Sequence, residues 1–343
     1  MSHSTVPRSR AEAETTEETP VAPGDATGTP DRPAGKPSLR LRFRRDRVLL
    51  LMTLPALLLI LVFHYVPILG NVVAFQDYDP YLSDNGVVSM LHSPWVGVEN
   101  FERIFADSAF WNAVQNTLIL FILQLVLFFP IPILLALLLN SVVRPRVRAL
   151  SQAILYLPHF FSWVLVIAVF QQLFGGAGIF SQLLREHGYD GLDFMTDPDT
   201  FALLITAQSV WKDAGWGIIV FLAALASVSP DLYEAAAMDG AGRRRRMWHV
   251  TLPALRPVIA LLLVLRVGDA LTVGFEQILL QRDMVGPGAA EVLDTFVWWN
   301  GVRNQDFGYA AAAGLVKGVI SLGLVLAANK VAHLMGEQGV YKK

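Results

Sequence analysis

The sequence predicts an all-α membrane protein, built as a bundle of six transmembrane helices. Apolar residues make up 54% of the chain and charged residues only 16%, whereas a soluble domain carries about 25% charged residues. Six segments reach the ~20 mostly apolar residues that a membrane-spanning helix needs. Arginine and lysine are concentrated in alternate connections between these segments, a pattern typical of multi-pass membrane proteins.

The first 39 residues differ in composition from the rest of the chain. They are rich in Glu, Thr, Pro, Gly and Ala and contain almost no large apolar residues. Such a segment cannot bury enough apolar surface to offset the entropy that is lost on ordering. We therefore expect 1–39 to be a disordered cytoplasmic tail without an assigned function, and 40–343 to form one transmembrane domain.

The six apolar segments are interpreted as the membrane helices. Several contain proline, which a helix in lipid tolerates where neighbouring helices satisfy the freed backbone groups. We therefore expect kinked helices that pack in a bundle. The expected helices cover residues 48–75, 113–141, 150–173, 202–227, 254–281 and 308–333.

Positive charge predicts the side of the membrane that each connection faces, because cytoplasmic loops carry an excess of Lys and Arg. Five arginines lie between residues 40 and 47, three in the connection between helices 2 and 3, and four in that between helices 4 and 5. The other three connections hold four arginines in total. We expect both termini to be cytoplasmic, in a multi-pass protein of the cell inner or plasma membrane.

A polar hairpin, residues 228–253, separates the fourth and fifth apolar segments. Ser229 and Pro230 are residues that begin a helix, and Gly240 can turn the chain because glycine adopts positive φ without strain. Two interpretations are open: a solvated loop whose arginines only set the topology, or a docking surface for a cytoplasmic protein. Nothing in the sequence supports nucleic-acid binding. The helices expected in the hairpin are 230–238 and 241–249.

The hairpin also carries a spaced motif: Glu-Ala-Ala, three residues, Gly, nine residues, Ile or Val, one residue, and Leu-Pro. This pattern resembles the signature loop of binding-protein-dependent ABC importer permeases. Val250 in place of Ile is a mild departure. The Asp-Gly-Ala triplet that begins at Asp239 is similar to the carbohydrate branch of that family. The motif residues are Glu234, Ala235, Ala236, Gly240, Val250, Leu252 and Pro253.

The resemblance extends over about 48–343. Several short segments are similar to those of sugar permeases: Leu54-Pro55-Ala56, Gly97-Val98-Glu99-Asn100-Phe101, Asn116-Thr117, Tyr156-Leu157-Pro158, Trp211-Lys212 and Gly215-Trp216. Others resemble a polysaccharide and complex-oligosaccharide subgroup: Phe275-Glu276-Gln277-Ile278, Asp294-Thr295, Tyr309-Ala310-Ala311-Ala312 and Asn329.

The resemblance implies the type I ABC importer permease fold, in a transmembrane permease subunit that translocates a carbohydrate, an oligosaccharide in this subgroup. The implied partners are a second homologous permease subunit, two ABC ATPase subunits and an extracytoplasmic sugar-binding protein. The chain itself needs no cofactor, because the partner subunits use the ATP, and it has no Gly-x-x-x-x-Gly-Lys-Ser/Thr loop. The ATPase-coupling residues that the resemblance implies are Glu234, Ala235, Ala236, Asp239, Gly240, Leu252 and Pro253.

Ionisable residues within the membrane helices are a second candidate site, because charge at that depth is costly and marks a site or pathway by default. Spacings of three and seven place Arg266, Asp269 and Glu276 on one face of helix 5, and Phe275 borders that face. We predict that these four residues and Lys212 line the substrate pathway.

An equally open alternative is that the membrane charges form ion pairs that fix helix packing or contact the partner permease. Asp213 is a further charge of helix 4. Lys317 lies between two glycines whose spacing permits close helix approach, so we expect it at a helix interface.

Two other classes of function are weighed. A self-sufficient secondary carrier or channel for a polar solute would not need a docking hairpin and would show internal repeats, which are not clear here. An intramembrane enzyme would need paired catalytic groups, for which the membrane carboxylates are the only candidates. No nucleophile–base arrangement and no metal motif is read from the spacing, so no enzyme, catalytic residue or metal ligand is predicted.

Overall fold

The computed structural model of the protein describes residues 47–189 and 193–334. The predicted N-terminal tail, 1–39, lies outside the described residues. The chain divides after Leu61 into two units. The described part of the first unit is mainly helix α1 (Arg47–Ile60), which is apolar around its whole circumference apart from Arg47 and Thr53. Helices of this composition are typical of a membrane span.

Six helical stretches of the described residues are long and apolar enough to cross a membrane. They confirm the predicted all-α fold with six transmembrane helices. Within 47–189 and 193–334 the only β pairing is an isolated bridge between Gln76 and Trp95. The spans are Arg47–Phe75, Ser108–Asn140, Trp163–Glu186, Phe201–Ala226, Arg243–Gly268 and Phe307–Leu334.

The individual helices are shorter than the spans. In the first half of the chain they are α2 (Val66–Leu69), α3 (Gly86–His92), α4 (Glu99–Ala106), α5 (Ser108–Leu123), α6 (Pro130–Asn140), α7 (Pro145–Tyr156) and α8 (Trp163–Phe174). In the second half they are α9 (Ile179–Glu186), α10 (Phe201–Ala226), α11 (Pro230–Met238), α12 (Arg243–Arg246), α13 (Leu252–Gly268), α14 (Phe275–Val285), α15 (Pro287–Ala290), α16 (Leu293–Trp298) and α17 (Phe307–Leu334). Turns of π-helix cover Leu61–Tyr65, Gln124–Phe128, Met247–Thr251 and Trp299–Arg303.

The third predicted helix, 150–173, is interrupted. α7 ends at Tyr156, a 3-10 turn covers Leu157–Phe160, and α8 begins only at Trp163. Pro158 lies in this turn and has no N–H to donate to an α-helical hydrogen bond. The prediction of one continuous helix is therefore wrong here, because the chain bends at the proline.

The fifth predicted helix, 254–281, is also two helices. α13 ends at Gly268, and α14 begins after Gly274, whose φ of 57° lies in the left-handed region. That conformation favours glycine, and it lies in the turn between the two helices. The span begins earlier than predicted, at Arg243, because the π-helical turn Met247–Thr251 joins α12 to α13. The second limb of the hairpin is thus continuous with the membrane span, and not a separate helix over 241–249.

α10 lies against both α6 and α7 because it carries glycines at the crossing points. A Cβ atom on Gly215 would lie 2.2 Å from the carbonyl oxygen of Leu155, and one on Gly217 would lie 2.7 Å from the Cβ of Pro132. A side chain at either position would push the helices apart. Further along α10, toward the hairpin, Ile218 and Phe221 are buried in one apolar cluster with Leu255 of α13. This cluster fixes the membrane end of the hairpin.

Candidate functional site

The hairpin between α10 and α13 is an exposed helical projection. The Ser229 hydroxyl accepts a hydrogen bond from the Asp231 amide at 3.2 Å, and Pro230 occupies the first turn of α11. No residue of α11 is buried. Leu232 and Met238 are 54% and 89% exposed. The first limb of the hairpin thus leaves two large apolar side chains exposed.

The turn of the hairpin closes α11 by a defined pair of hydrogen bonds. The Gly240 amide donates to the Ala237 carbonyl at 3.0 Å, and the Ala241 amide donates to the Ala236 carbonyl at 2.9 Å. This is the Schellman arrangement, which requires a left-handed residue, and Gly240 has φ of 72°. The predicted helix at 230–238 and the predicted turn at Gly240 are therefore both confirmed.

A hydrogen bond joins the two limbs of the hairpin next to the start of α13. The Tyr233 hydroxyl on α11 lies 3.2 Å from the hydroxyl of buried Thr251. Half-buried Leu252 and Pro253 follow at once as the first residues of α13. α11 is thus joined by a hydrogen bond to the residue that directly precedes α13. The structure brings all seven predicted coupling residues into this one hairpin, although their coupling role stays a prediction.

Glu234 lies on the exposed surface of α11. Within the part of the chain that the structure describes, its carboxylate has no ion-pair partner within 4.0 Å. The adjacent concave side of the hairpin forms a cavity of about 290 Å³, lined by residues that include Ala236, Asp239 and Arg245. The hairpin therefore presents an uncompensated carboxylate beside a groove.

We predict that Gly240→Val opens the turn of the hairpin. A Cβ at this position meets no atom within 4 Å, so the cost comes from the left-handed backbone, about 1–2 kcal/mol for an ordinary L-residue. Amide hydrogen exchange at 240 and 241, measured on the purified full chain, should become about tenfold faster. Gly240→Asn is the control, because asparagine tolerates this conformation. Equal exchange in Gly240→Val and the wild type would refute the requirement for positive φ.

Lys212 does not face an open pathway. It is only 9% exposed, and its ammonium donates a hydrogen bond to the His159 carbonyl at 2.8 Å. It also lies 3.8 Å from the Asp213 carboxylate and 5.5 Å from the Trp163 ring centroid. These contacts tie the bend after α7 to α10, so Lys212 has a structural position.

Arg266 is partly buried near the C-terminal end of α13. Its guanidinium donates to the Gln124 side chain and lies 5.6 Å from the Phe128 ring centroid. Its Nε is buried without a hydrogen-bond partner among the described residues. Asp213 and Asp269 are close enough to interact with it electrostatically. Arg266 thus has unused hydrogen-bonding capacity beside two carboxylates.

Asp269, Phe275 and Glu276 are exposed, but Phe275 and Glu276 do not share the helix face of Arg266 that the sequence predicts. Asp269 is the C-cap of α13, whereas Phe275 and Glu276 form the first turn of α14, after the left-handed Gly274. The prediction of one continuous face is wrong because the chain turns between the two helices.

A network of buried glutamines holds α14 on α10 after this turn. The Gln277 side chain donates to the Gln208 side chain at 2.7 Å and to the Ile205 carbonyl at 3.0 Å. Gln281 donates to the same Gln208 oxygen at 3.0 Å. All three glutamines are fully buried. Buried amides with satisfied hydrogen bonds specify one arrangement, so this network fixes the position of Phe275 and Glu276.

The structure assembles a stack of rings that sequence reasoning missed. The Tyr156 and His159 rings lie 5.6 Å apart at 15°, and the His159 and Trp216 rings lie 5.3 Å apart at 16°. His159 Nδ1 lies 2.9 Å from the Asp213 carboxylate, and Trp216 is 53% exposed. From the sequence, His159 is an isolated packing or interfacial residue. The three-residue spacings of Tyr156 from His159 and of Asp213 from Trp216 are the signal that could have found this face.

Lys317 forms an ion pair with Asp294 of α16. The pair joins two helices of the same chain, so it fixes their packing. Among the described residues no group of three or more His, Cys, Asp and Glu side chains is placed to hold a metal ion.

Comparisons with known proteins agree with this architecture. Residues 128–329 match the family model of the binding-protein-dependent transport system inner membrane component. The polygalacturonan/rhamnogalacturonan transport system permease protein YteP of Bacillus subtilis (strain 168) is 42% identical over 88% of this chain and 93% of its own length. LplB of the same organism is 40% identical over 87% and 92%.

A solved membrane transporter structure contains a chain with the same fold. A bacterial alginate ABC transporter, crystallised with an alginate pentasaccharide-bound periplasmic protein, contains a chain that matches with a TM-score of 0.79. The identity is 36%, and the match covers 88% of this chain and 99% of that one. The chain therefore belongs to the family of binding-protein-dependent transport system inner membrane components and is a multi-pass membrane permease.

Proposed function

We propose that the protein is a transmembrane permease subunit of an ABC importer that translocates an oligosaccharide, with ATP hydrolysed by separate subunits. The hairpin carries this proposal. It is exposed, it presents an unpaired carboxylate and apolar side chains, and it continues directly into the fifth span. A part of this kind suits a permease that is driven by another protein.

The proposed partners follow from this role. A second homologous permease subunit completes the channel, two ABC ATPase subunits dock on the hairpins, and an extracytoplasmic sugar-binding protein delivers the substrate. The hairpin and both termini lie in the cytoplasm, and the protein lies in the cell inner or plasma membrane. The arginines at 144, 146, 148 and 243–246 support this orientation.

The proposed substrate is an acidic oligosaccharide. The relative YteP is a permease of a polygalacturonan/rhamnogalacturonan transport system. A solved structure that matches this chain is of an ABC transporter involved in the import of the acidic polysaccharide alginate. We propose that the guanidinium of partly buried Arg266 meets a sugar carboxylate. A self-sufficient carrier or channel is not favoured, because neither would use the hairpin.

The proposed sugar pathway combines the ring stack with the polar residues near it. Trp216 offers an exposed aromatic face, and the paired His159 and Asp213 offer polar atoms beside it. Sugars have both apolar C–H faces and hydroxyl groups, which such a surface can contact together. Asp269 and Glu276 extend the pathway in this proposal. Buried Lys212 does not line it, but holds His159 in place through the hydrogen bond to the His159 carbonyl.

We predict that Trp216→Ala raises the half-saturating concentration for uptake of an oligogalacturonate by about three- to tenfold. An aromatic contact contributes about 0.5–1.5 kcal/mol, and 1.4 kcal/mol is a factor of ten. Uptake of the labelled sugar is measured in cells that carry the complete transporter. Trp111→Ala is the matched control, because Trp111 is 51% exposed and Trp216 is 53% exposed, and it should leave uptake unchanged.

The same assay separates the aromatic from the acidic part of the pathway. Asp269→Asn and Glu276→Gln should each change the substrate affinity or the rate. Normal affinity and rate in both would remove these carboxylates from the pathway, and an unchanged half-saturating concentration in Trp216→Ala would remove the ring stack.

A further inference from the structure

A second cavity lies on the other side of the hairpin, between its second limb and the end of α6. Its volume is about 460 Å³. It shares Arg246, but no other lining residue, with the smaller groove beside Asp239. The polar side chains that line it include three arginines and three hydroxyl groups: Arg243, Arg244, Arg246, Ser141, Tyr233 and Thr251.

No described carboxylate neutralises the positive charge of this cavity. Across the residues that the structure describes, no carboxylate oxygen lies within 4.0 Å of the three guanidinium groups. The orientation of a membrane protein needs positive charge in a loop but not its convergence on one concave site. Three uncompensated guanidinium groups around a cavity therefore indicate an anionic ligand.

The rest of the cavity wall restricts the kind of anion. Guanidinium groups match phosphate oxygens through paired hydrogen bonds. The opposite wall is apolar and includes Leu137, Val142 and Val143. A small inorganic anion would gain nothing from this wall, whereas the glycerol and first methylene groups of a phospholipid would.

The position of the cavity agrees with a lipid headgroup. It opens where α6 ends at Asn140, which is the last residue of the second span. On the cytoplasmic side, basic pockets at the ends of membrane helices attract anionic lipids. The choice of leaflet rests on the cytoplasmic placement proposed above, but binding in a detergent micelle does not depend on it.

We propose that this cavity binds the phosphate group of an anionic phospholipid. The lipid bridges the end of α6 and the second limb of the hairpin. The anionic lipid content of the membrane therefore influences how firmly the hairpin is held.

The test uses the purified full chain in a neutral detergent, with dioleoyl phosphatidylglycerol as the probe. Bound lipid is counted by native mass spectrometry, and thermal unfolding is followed as the lipid is added. We expect the wild type to retain the lipid and to gain thermal stability, and Arg243→Gln/Arg244→Gln to bind it at least about tenfold more weakly, because two charge-assisted contacts are lost. Phosphatidylcholine should have no effect on either protein.

Matched variants make the outcome decisive. Arg146→Gln/Arg148→Gln removes the same charge from positions that do not line the cavity, and should bind the lipid like the wild type. Ser141→Leu fills the cavity while keeping every arginine, so it should lose binding even if the arginine variant folds poorly. Equal binding by all variants overturns the site, and an equal stabilisation by inorganic phosphate overturns the lipid assignment. Transport does not enter this measurement, so its result is independent of the proposed substrate.

Discussion

Glu234→Lys is expected to reduce ATP-driven sugar uptake by at least about tenfold without preventing membrane insertion. Glu234 is exposed and has no ion-pair partner among the described residues, so its reversal should not disturb the fold of the chain. On a docked ATPase the new charge would replace an attraction by a repulsion. Loss of one partner of a buried interfacial charge pair costs about 2–5 kcal/mol, and each 1.4 kcal/mol is a factor of ten.

The measurement is uptake by cells that carry the complete transporter, together with co-purification of the ATPase on the tagged chain. Glu186→Lys is the matched control, because Glu186 is an exposed glutamate on α9, away from the hairpin. Unchanged uptake in Glu234→Lys would show that the coupling role is wrong. Lost uptake with retained ATPase would locate the defect in coupling, and lost ATPase would locate it in docking.

Arg282→Gln is expected to lower the free energy of unfolding of the protein strongly. The Arg282 guanidinium donates to the Glu291 carboxylate, with an Nε distance of 2.8 Å, and lies 3.7 Å from the Trp299 ring centroid. Both charged side chains are more than nine-tenths buried. Breaking such a pair leaves an uncompensated buried charge and costs about 3–5 kcal/mol. The second Glu291 oxygen already lacks a partner among the described residues, so nothing there can replace the arginine.

Thermal unfolding of the purified chain measures this prediction. Arg303→Gln is the control, because Arg303 is exposed and its guanidinium lies 5.5 Å from the same Trp299 ring. It should have a small effect. Arg282→Met/Glu291→Leu should recover most of the lost stability, because replacing both charges removes the desolvation penalty. Equal and small losses in Arg282→Gln and Arg303→Gln would show that the buried pair is not needed.

Local chemistry in the sequence predicts the first limb of the hairpin. The helix observed at Pro230–Met238 agrees with the predicted 230–238, because its cap, its first-turn proline and its closing glycine all lie within a few residues of one another. The number of spans is predicted for a similar reason. Each span is a continuous apolar segment, and lipid requires such a segment to satisfy its own backbone hydrogen bonds.

The breaks in the helices were not predicted, although their residues are visible in the sequence. Pro257 lies inside α13, whereas Pro158 lies in the bend between α7 and α8. Both are prolines in apolar segments, and only the packing of neighbouring helices distinguishes a tolerated kink from a bend. The same holds for Gly274, which lies in the turn before α14, and Gly217, which permits a close contact.

The sequence by itself determined the fold class, the six spans and the exposed hairpin, because composition, apolar length and capping are properties of neighbouring residues. Only the tertiary structure decided which polar side chains meet. It buried Lys212 against the bend after α7, grouped the His159 ring with those of Tyr156 and Trp216, and separated Glu276 from the face of Arg266. Most of these contacts join residues that lie tens of positions apart, and spacing along one helix predicts only which residues share a face.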